Sequence, residues 1–166
     1  ESRGDFENAL LLFQALRSRD FPPAERLLLE AGLARAAAGA GNAQLFEDVW
    51  SATWTRVAGL PDSECPAGVL IQLAHGALIR GHHDLGEQAA LRALTIASDR
   101  GEAHDQEMAE KLVEAAQAAS RTRARMAAQR APGHDARTAH RLARGFASAL
   151  RGGAAQGIEP RAPRGT

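Results

Sequence analysis

Apolar residues recur along this chain at the spacing of a helix, and no stretch alternates apolar and polar residues as a β-strand does. In the first segment Phe6, Leu10 and Phe13 fall three or four residues apart, which places them on one helical face. Breaks rich in Pro, Gly, Asp and Asn divide the remaining chain into similar segments. Because the links are short, consecutive helices should be antiparallel neighbours. The pattern predicts an all-α fold, a bundle of six to seven antiparallel helices.

Residues that favour helix ends set the expected boundaries. Asp5, Asn42 and Asp84 precede periodic segments and are expected as N-caps, because their side chains accept hydrogen bonds from the first turn. Pro23 and Pro66 stand where a helix can begin. The predicted helices span about 6–17, 22–38, 43–57, 66–80, 85–97, 102–130 and 135–151.

The predicted organisation has three parts. Residues 1–130 form the helical bundle domain, and residues 131–151 form a basic amphipathic C-terminal helix. Residues 152–166 form a tail that is disordered by composition. Within the bundle, the fourth helix (66–80) is apolar on nearly all sides, which is typical of a helix at the centre of a bundle.

Two segments place small and large residues where tetratricopeptide units have them. In the first they are Leu11, Leu12, Ala15, Asp20, Phe21, Ala24, Leu28 and Ala31, and in the second Leu70, Leu73, Ala74, Ala77, Gly81, Gly86, Ala90, Ala93 and Leu94. The chain therefore resembles tetratricopeptide-like helix hairpins, in which small residues let paired helices approach closely. The two units lie 62 residues apart, from Ala31 to Ala93, which is no multiple of the roughly 34-residue period. The resemblance implies a degenerate array.

A second resemblance covers about residues 42–94. The stretch "EDVWSATW" followed by "LIQLAHGALIRG" is similar to the domain-of-unknown-function 309 family, a group of small bacterial helical proteins. The shared residues are Trp54, Leu70 to Ala74, Arg80 and Gly81, with Trp50 as a common variant. Glu47 stands where that family has His, Asp48 where it has Glu, and Ser51 replaces a second Glu. The resemblance implies a helical fold and no particular activity.

Composition adds a cellular setting to this picture. Nineteen of the twenty basic residues are arginine, and with abundant Ala and Gly this is typical of GC-rich bacterial coding. One cysteine excludes an internal disulfide framework and favours a cytoplasmic location. The longest apolar run, 67–79, is too short to span a bilayer, so no transmembrane segment is expected.

The charge is unevenly distributed although the net charge is zero. Residues 1–118 hold 10 basic and 18 acidic residues, and residues 119–166 hold 10 basic and 2 acidic ones. In the last predicted helix Arg137, Arg141 and Arg144 surround an apolar stripe. A basic amphipathic helix can bind a partner, a membrane surface or nucleic acid, or it can dock on its own bundle.

The histidine pair and the single cysteine have simple explanations. His82 and His83 are adjacent on a predicted turn and point in different directions, whereas zinc needs three or four converging ligands. We expect a turn there, with Asp84 as the cap of the next helix. Cys65 lies near a helix start, which favours a thiolate, but Glu64 opposes ionisation and no catalytic spacing surrounds it. We predict no catalytic role for it.

Glu47, Asp48 and His75 form a possible polar site, which we call the polar cluster. His75 lies in the apolar fourth helix and would meet the two carboxylates if the third and fourth helices pack face to face. Such a pair can do acid–base work or hold a metal. A buried histidine with one hydrogen-bond partner is the commoner arrangement. Both interpretations stay open, and we predict no catalytic residue, metal ligand or cofactor.

Aromatic residues are the best candidates for contact with a partner. Trp50 and Trp54 are one helical turn apart and share a face. They can form an exposed platform, although large aromatics at this spacing are more often core. Phe21, beside two prolines, is a further candidate.

The sequence predicts a non-enzymatic protein–protein interaction module, an adaptor or regulator of a bacterial cytoplasmic system. The expected contacts are the three aromatic residues and the basic C-terminal helix. Attraction between the acidic body and the basic C-terminal region would give a homodimer. One alternative is nucleic-acid binding through Arg121–Arg151, and another is a metal-binding or hydrolytic bundle that uses the polar cluster.

Overall fold

The computed structural model describes residues 2–130 and is all-α, as predicted. Among these residues there is no strand. The six helices are α1 (Arg3–Leu16), α2 (Pro23–Ala40), α3 (Ala43–Ala58), α4 (Ala67–Ile79), α5 (His83–Arg100) and α6 (Ala103–Arg130). The seventh predicted helix and the tail lie outside the described residues.

Helix α1 begins earlier than predicted, and Asp5 is not its N-cap. Ser2 is the capping residue, and Asp5 is the third residue of the helix, within its first turn. The Asp5 carboxylate accepts hydrogen bonds from the Ser2 backbone N–H at 2.7 Å and from the Ser2 hydroxyl at 3.0 Å. A carboxylate at the third helical position accepts a hydrogen bond from the backbone N–H of the capping residue. An aspartate near a helix start can therefore be either the cap or the third residue of the helix.

The helix boundaries 40/43, 79/83 and 100/103 are formed by the same turn. In each, a glycine with positive φ ends the helix, at Gly41, Gly81 and Gly101. The next residue then donates its N–H to the carbonyl five residues back, as His82 does to Ala77 at 2.9 Å. Because Gly81 fixes this turn, α5 starts at His83 with His82 as its capping residue. The prediction of Asp84 as the cap is therefore wrong.

Helix α2 is the centre of the packing in the described bundle. It packs against α1, α3 and α4, and α4 also packs along α5. Helix α3 meets α4 at few points, so consecutive helices are not neighbours at this step, contrary to expectation. As predicted, α4 is buried on most sides, and Leu70 and Leu73 are completely covered. Its lateral neighbours are α2 and α5.

The connection from α3 to α4 is held by two arginines of α5. Arg92 donates to the backbone carbonyls of Val57 at 3.1 Å and Leu60 at 2.8 Å, and to the Asp62 carboxylate at 3.0 Å. Arg100 donates to the Asp62 carbonyl at 2.6 Å. These bonds tie α5 to the end of α3 and to the link that follows it, where the Val57 carbonyl also accepts the Leu60 backbone N–H at 3.1 Å.

Helix α6 continues the bundle through its first half. Ala109, Leu112 and Ala116 form a buried stripe at helical spacing, and Gln117 donates to Glu87 of α5 at 3.0 Å. The compact unit extends to Arg123. No helix within residues 2–130 has the length and apolar character needed to cross a membrane.

Candidate docking groove

A groove runs along α2. It has a volume of about 520 Å³ and lies between α1 on one side and Gln72 of α4 on the other. Its lining residues are Asp5, Phe6, Ala9, Phe13, Leu16, Phe21, Glu25, Leu28, Leu29, Gly32, Arg35, Ala36 and Gln72. We call this cavity the groove. Its volume lies in the range of roughly 300–1,000 Å³ that is typical of ligand sites in proteins.

One wall of the groove is α1, which docks on α2 through two aromatic rings over two glycines. The Phe13 ring lies so close to Gly32 that a Cβ there would be 2.6 Å from it, and the Phe6 ring covers Gly39 in the same way. Both pairs are seven residues apart, which is two helical turns on each helix. The missing side chains of the glycines therefore allow α1 to lie close to α2.

Exposed leucines border the groove. Leu28 lines it and is 48% exposed, and Leu12 is 59% exposed. Leu12 lies three residues after Ala9 and four before Leu16, so it belongs to the same face of α1 that lines the groove. Large apolar side chains that remain in water beside an apolar cavity are typical of a surface that receives a partner.

Three of the four polar lining residues of the groove, Asp5, Arg35 and Gln72, make hydrogen bonds within the protein. Arg35 donates to the side-chain oxygen of Gln72 at 3.2 Å, which links α2 to α4 across the floor. Asp5 is held by Ser2, and the Ser2 backbone N–H lowers the pKa of this carboxyl below its ordinary value. These three polar side chains are therefore already engaged, and the rest of the lining is apolar apart from Glu25.

A second, smaller cavity adjoins the groove at the turn between α1 and α2. It has a volume of about 220 Å³ and shares Leu16, Phe21 and Leu29 with the groove. Its remaining lining residues are Arg17, Arg19, Arg26 and Glu30. We call this cavity the arginine pocket.

The predicted aromatic contacts divide between core and groove. Trp50 is 7% exposed, donates its indole N–H to the Leu73 carbonyl at 3.1 Å and so belongs to the core. Trp54 is half-buried and stacks on Trp50, with ring centroids 5.3 Å apart. Phe21 lines both the groove and the arginine pocket.

The residues of the polar cluster lie on different helices. Glu47 and Asp48 are exposed on α3, and the Asp48 carboxylate accepts from Gln44 at 3.0 Å. His75 is half-buried on α4, which packs along α2 and α5 instead of face to face with α3. In the described part of the chain, no group of three or more His, Cys, Asp or Glu side chains is arranged to hold a metal ion.

The histidine turn has a packing role. The His82 ring stacks on Phe46 of α3, with centroids 5.9 Å apart and planes 7° apart. His83 is half-buried in the first turn of α5. His82 is exposed at the predicted turn, whereas His83 is partly covered by the fold.

The predicted arginine contacts are only partly within the structure. Arg121, Arg123 and Arg125 are exposed on the last turns of α6. Arg137, Arg141 and Arg144 lie outside the described residues.

Sequence reasoning missed the residues that build the groove. The predicted second helix ends at about residue 38, which leaves Gly39 outside it, but Gly39 lies inside α2 beneath Phe6. The available signal was the equal seven-residue spacing of Phe6 and Phe13 and of Gly32 and Gly39. That spacing indicates a matched pair of helix faces.

Comparison with known proteins identifies no relative of this chain. No protein-family model, curated protein or solved structure matches the chain. The candidate function therefore depends on the groove itself.

Proposed function

We propose that this protein is a non-enzymatic docking module whose groove binds an amphipathic helix of a protein partner. The observation that carries the proposal is the apolar groove of about 520 Å³ between α1 and α4, with Leu28 exposed in its lining. A helix that lays an apolar face into such a groove is a common mode of peptide recognition.

The dimensions of the groove suit a helix. It follows α2 from Glu25 to Ala36, a length of about 17 Å at 1.5 Å per residue, or about three helical turns. The Phe13 ring already covers Gly32, so a partner helix would pack on the lining side chains, such as Phe13 and Leu28, and not on the α2 backbone. Its apolar residues would recur every three or four positions along this floor.

The energetics favour filling the groove. Burying an exposed leucine contributes roughly 1.5–3 kcal/mol, and the groove is bordered by two. A partner that covers Leu12 and Leu28 therefore gains stabilisation that a polar surface could not offer.

We extend the proposal to a bacterial cytoplasmic system. The support is compositional: one cysteine, and arginine in place of lysine at nearly every basic position. Between the two occupants that the sequence suggested, we choose a separate partner, because the groove is lined mainly by apolar residues whereas the C-terminal region of a second copy is rich in arginine.

The experiment is a selection of displayed peptides on the full chain. The library holds peptides of about 18 residues with apolar residues fixed at helical spacing and all other positions randomised. The recovered peptides are then titrated against wild type, Leu28→Glu and Leu91→Glu. Leu91 is the matched control because it is 44% exposed, close to the 48% of Leu28, and lies on α5 away from the groove.

We expect Leu28→Glu to weaken peptide binding by roughly tenfold or more, since it places a charge where a leucine would be buried. Leu91→Glu should bind as the wild type does. Recovery of peptides whose affinity is the same for both variants, or recovery of none, contradicts the proposal. A rise in molecular mass without added peptide that Leu28→Glu abolishes would assign the groove to a second copy of the chain instead.

A further inference from the structure

The arginine pocket gives the groove one basic end. On the basis of the proposed docking function, we infer that the partner helix is acidic at the end that lies over the turn between α1 and α2, where its carboxylates meet Arg17 and Arg19. The two cavities share Leu16, Phe21 and Leu29, so a helix that fills the apolar groove reaches the arginine side chains at this end.

The arginines of this pocket differ in how far they are engaged. Arg26 is 3.9 Å from the carboxylate of Asp20, and Glu30 is paired with Arg56 of α3. Arg17 and Arg19 are exposed, and neither makes an ion pair with any residue between 2 and 130. Two guanidinium groups are therefore available to a partner.

The charge of the surrounding protein makes this basic end selective. Residues 1–118 carry 10 basic and 18 acidic residues, so most of the body repels an acidic partner. The arginine pocket is lined by three arginines and one glutamate. An acidic helix is consequently attracted in one register, with its carboxylates at this end, and repelled in the reverse one.

Guanidinium chemistry suits this role. Arginine presents a planar fork of donors that binds a carboxylate through two parallel hydrogen bonds. At an exposed site each such pair contributes modestly to affinity, and its larger effect is on orientation and on the rate of encounter. The apolar groove would thus supply most of the affinity and the arginines the choice of partner.

The chain's own predicted C-terminal helix is the competing occupant, and charge disfavours it. Residues 135–151 hold Arg137, Arg141, Arg144 and Arg151 against one acidic residue, Asp135. Such a helix would place like charges against Arg17 and Arg19. A separate acidic helix fits the pocket better, and the basic segment becomes an outcome of the test.

The experiment repeats the peptide selection on three forms of the full chain. These are the wild type, the double variant Arg17→Ser/Arg19→Ser, and the double variant Arg137→Ser/Arg141→Ser. Both variants lose two positive charges, so they have the same net charge and differ only in where the charge is removed. Thermal unfolding verifies that both remain folded.

We expect peptides selected on the wild type and on the C-terminal variant to be enriched in Asp and Glu at one end. On Arg17→Ser/Arg19→Ser this enrichment should vanish, while recovery still depends on Leu28. An acidic peptide selected on the wild type should bind Arg17→Ser/Arg19→Ser roughly five- to tenfold more weakly, and this difference should shrink at high salt.

The remaining outcomes separate this inference from the docking function. If peptides are recovered through Leu28 but show no enrichment in acidic residues, the inference is overturned and the docking function stands. The same holds if the C-terminal variant loses the enrichment as fully as Arg17→Ser/Arg19→Ser does. If a synthetic peptide of residues 135–151 displaces the selected peptide, the basic C-terminal segment occupies this end of the groove. That result also overturns the inference of an acidic partner. Absence of any recovery that depends on Leu28 overturns both.

Discussion

Cys65 shows how a residue's surroundings can reverse the chemistry that its sequence position favours. It precedes Pro66 and the first turn of α4, where a thiolate would be stabilised. The side chain is nevertheless completely buried. Burial raises the pKa of the Cys65 thiol above its ordinary value, and the nearby Arg92 opposes this shift only in part. The thiol is a core group.

We predict that Cys65 reacts slowly with a neutral thiol reagent in the native state, about a hundredfold or more slower than in unfolded protein. Because the folded protein holds the thiol proton to higher pH than the unfolded chain, the contribution of the thiol to stability is full below the ordinary pKa of cysteine. It is lost as pH rises through the raised folded pKa. The free energy of unfolding of the wild type should therefore fall at alkaline pH relative to Cys65→Ala.

Chemical denaturation at several pH values, together with labelling kinetics, measures both effects. Cys65→Ala serves as the control because it lacks the titrating group. Equal alkaline slopes for the two proteins, or rapid labelling of the native wild type, would show that Cys65 is accessible.

A capping residue could be predicted from the sequence only where its side chain is favourable at the cap and not at other positions of the first turn. Asn42 caps α3 as predicted, and its side-chain oxygen accepts from the Leu45 N–H at 3.2 Å. Asp5 and Asp84 lie within the first turns of their helices instead. A carboxylate is favourable at the cap and throughout the first turn, because both positions face the positive end of the helix dipole. The residue type alone cannot choose between these positions.

At the scale of elements, α1 is the helix most dependent on a single contact surface. None of its residues is fully buried. Its attachment to α2 relies on the Phe6 ring over Gly39 and the Phe13 ring over Gly32. A well-packed contact of this kind tolerates added volume poorly.

We predict that Gly39→Ala lowers the free energy of unfolding by about 1–3 kcal/mol, because the new Cβ would occupy the position of the Phe6 ring. Gly4→Ala is the control. A Cβ at Gly4 meets only the Ser2 hydroxyl at 3.8 Å, so the better helix propensity of alanine should stabilise by up to about 1 kcal/mol. Denaturant titration gives both values, and hydrogen exchange should show faster exchange confined to α1 in Gly39→Ala.

A second substitution tests whether volume is the cause. Phe6→Leu in the Gly39→Ala background should recover part of the lost stability, because a smaller side chain makes room for the Cβ. If Gly39→Ala is as stable as Gly4→Ala, the close approach of the two helices is not as the structure shows it.

The helices themselves were largely predictable, and their ends carry a signal that recurs three times. Ala37, Ala77 and Ala97 each precede a glycine by four residues, and each is completely buried and accepts the bond that closes the turn. This Ala-x-x-x-Gly pattern defines where α2, α4 and α5 end. Helix propensity alone placed the end of α5 at about residue 97, three residues before its observed end. Propensity does not indicate which glycine forms the turn that ends the helix.

At the scale of the molecule, the order in which helices pack was not predictable from the sequence. Helix α4 packs on α2 and α5, and this choice depends on which faces are complementary in three dimensions. The groove follows from the same choice, since α1 and α4 both pack on α2 and both contribute lining residues. The hydrophobic pattern of each helix records only that a face is buried, and not against which partner.

The link between α3 and α4 is where the chain departs from simple hairpins, and α5 clamps it. Arg92 is mostly buried and gives three bonds to this link, to the Val57 and Leu60 carbonyls and to the Asp62 carboxylate. Since these residues are 30 to 35 positions away in the sequence, Arg92 joins parts of the fold that no local interaction connects.

We predict that Arg92→Ala lowers the free energy of unfolding by about 2 kcal/mol, because it leaves two carbonyls and a carboxylate without their charged donor. Arg92→Lys should lose about half as much, since lysine keeps the charge but lacks the planar fork that reaches three acceptors. Arg3→Ala is the matched control: Arg3 pairs with Glu7 on an exposed face of α1, and its loss should cost no more than about 0.5 kcal/mol. Denaturant unfolding followed by the fluorescence of Trp50 and Trp54 measures all three variants. Equal stability of Arg92→Ala and Arg3→Ala would mean that the link holds its position without the arginine.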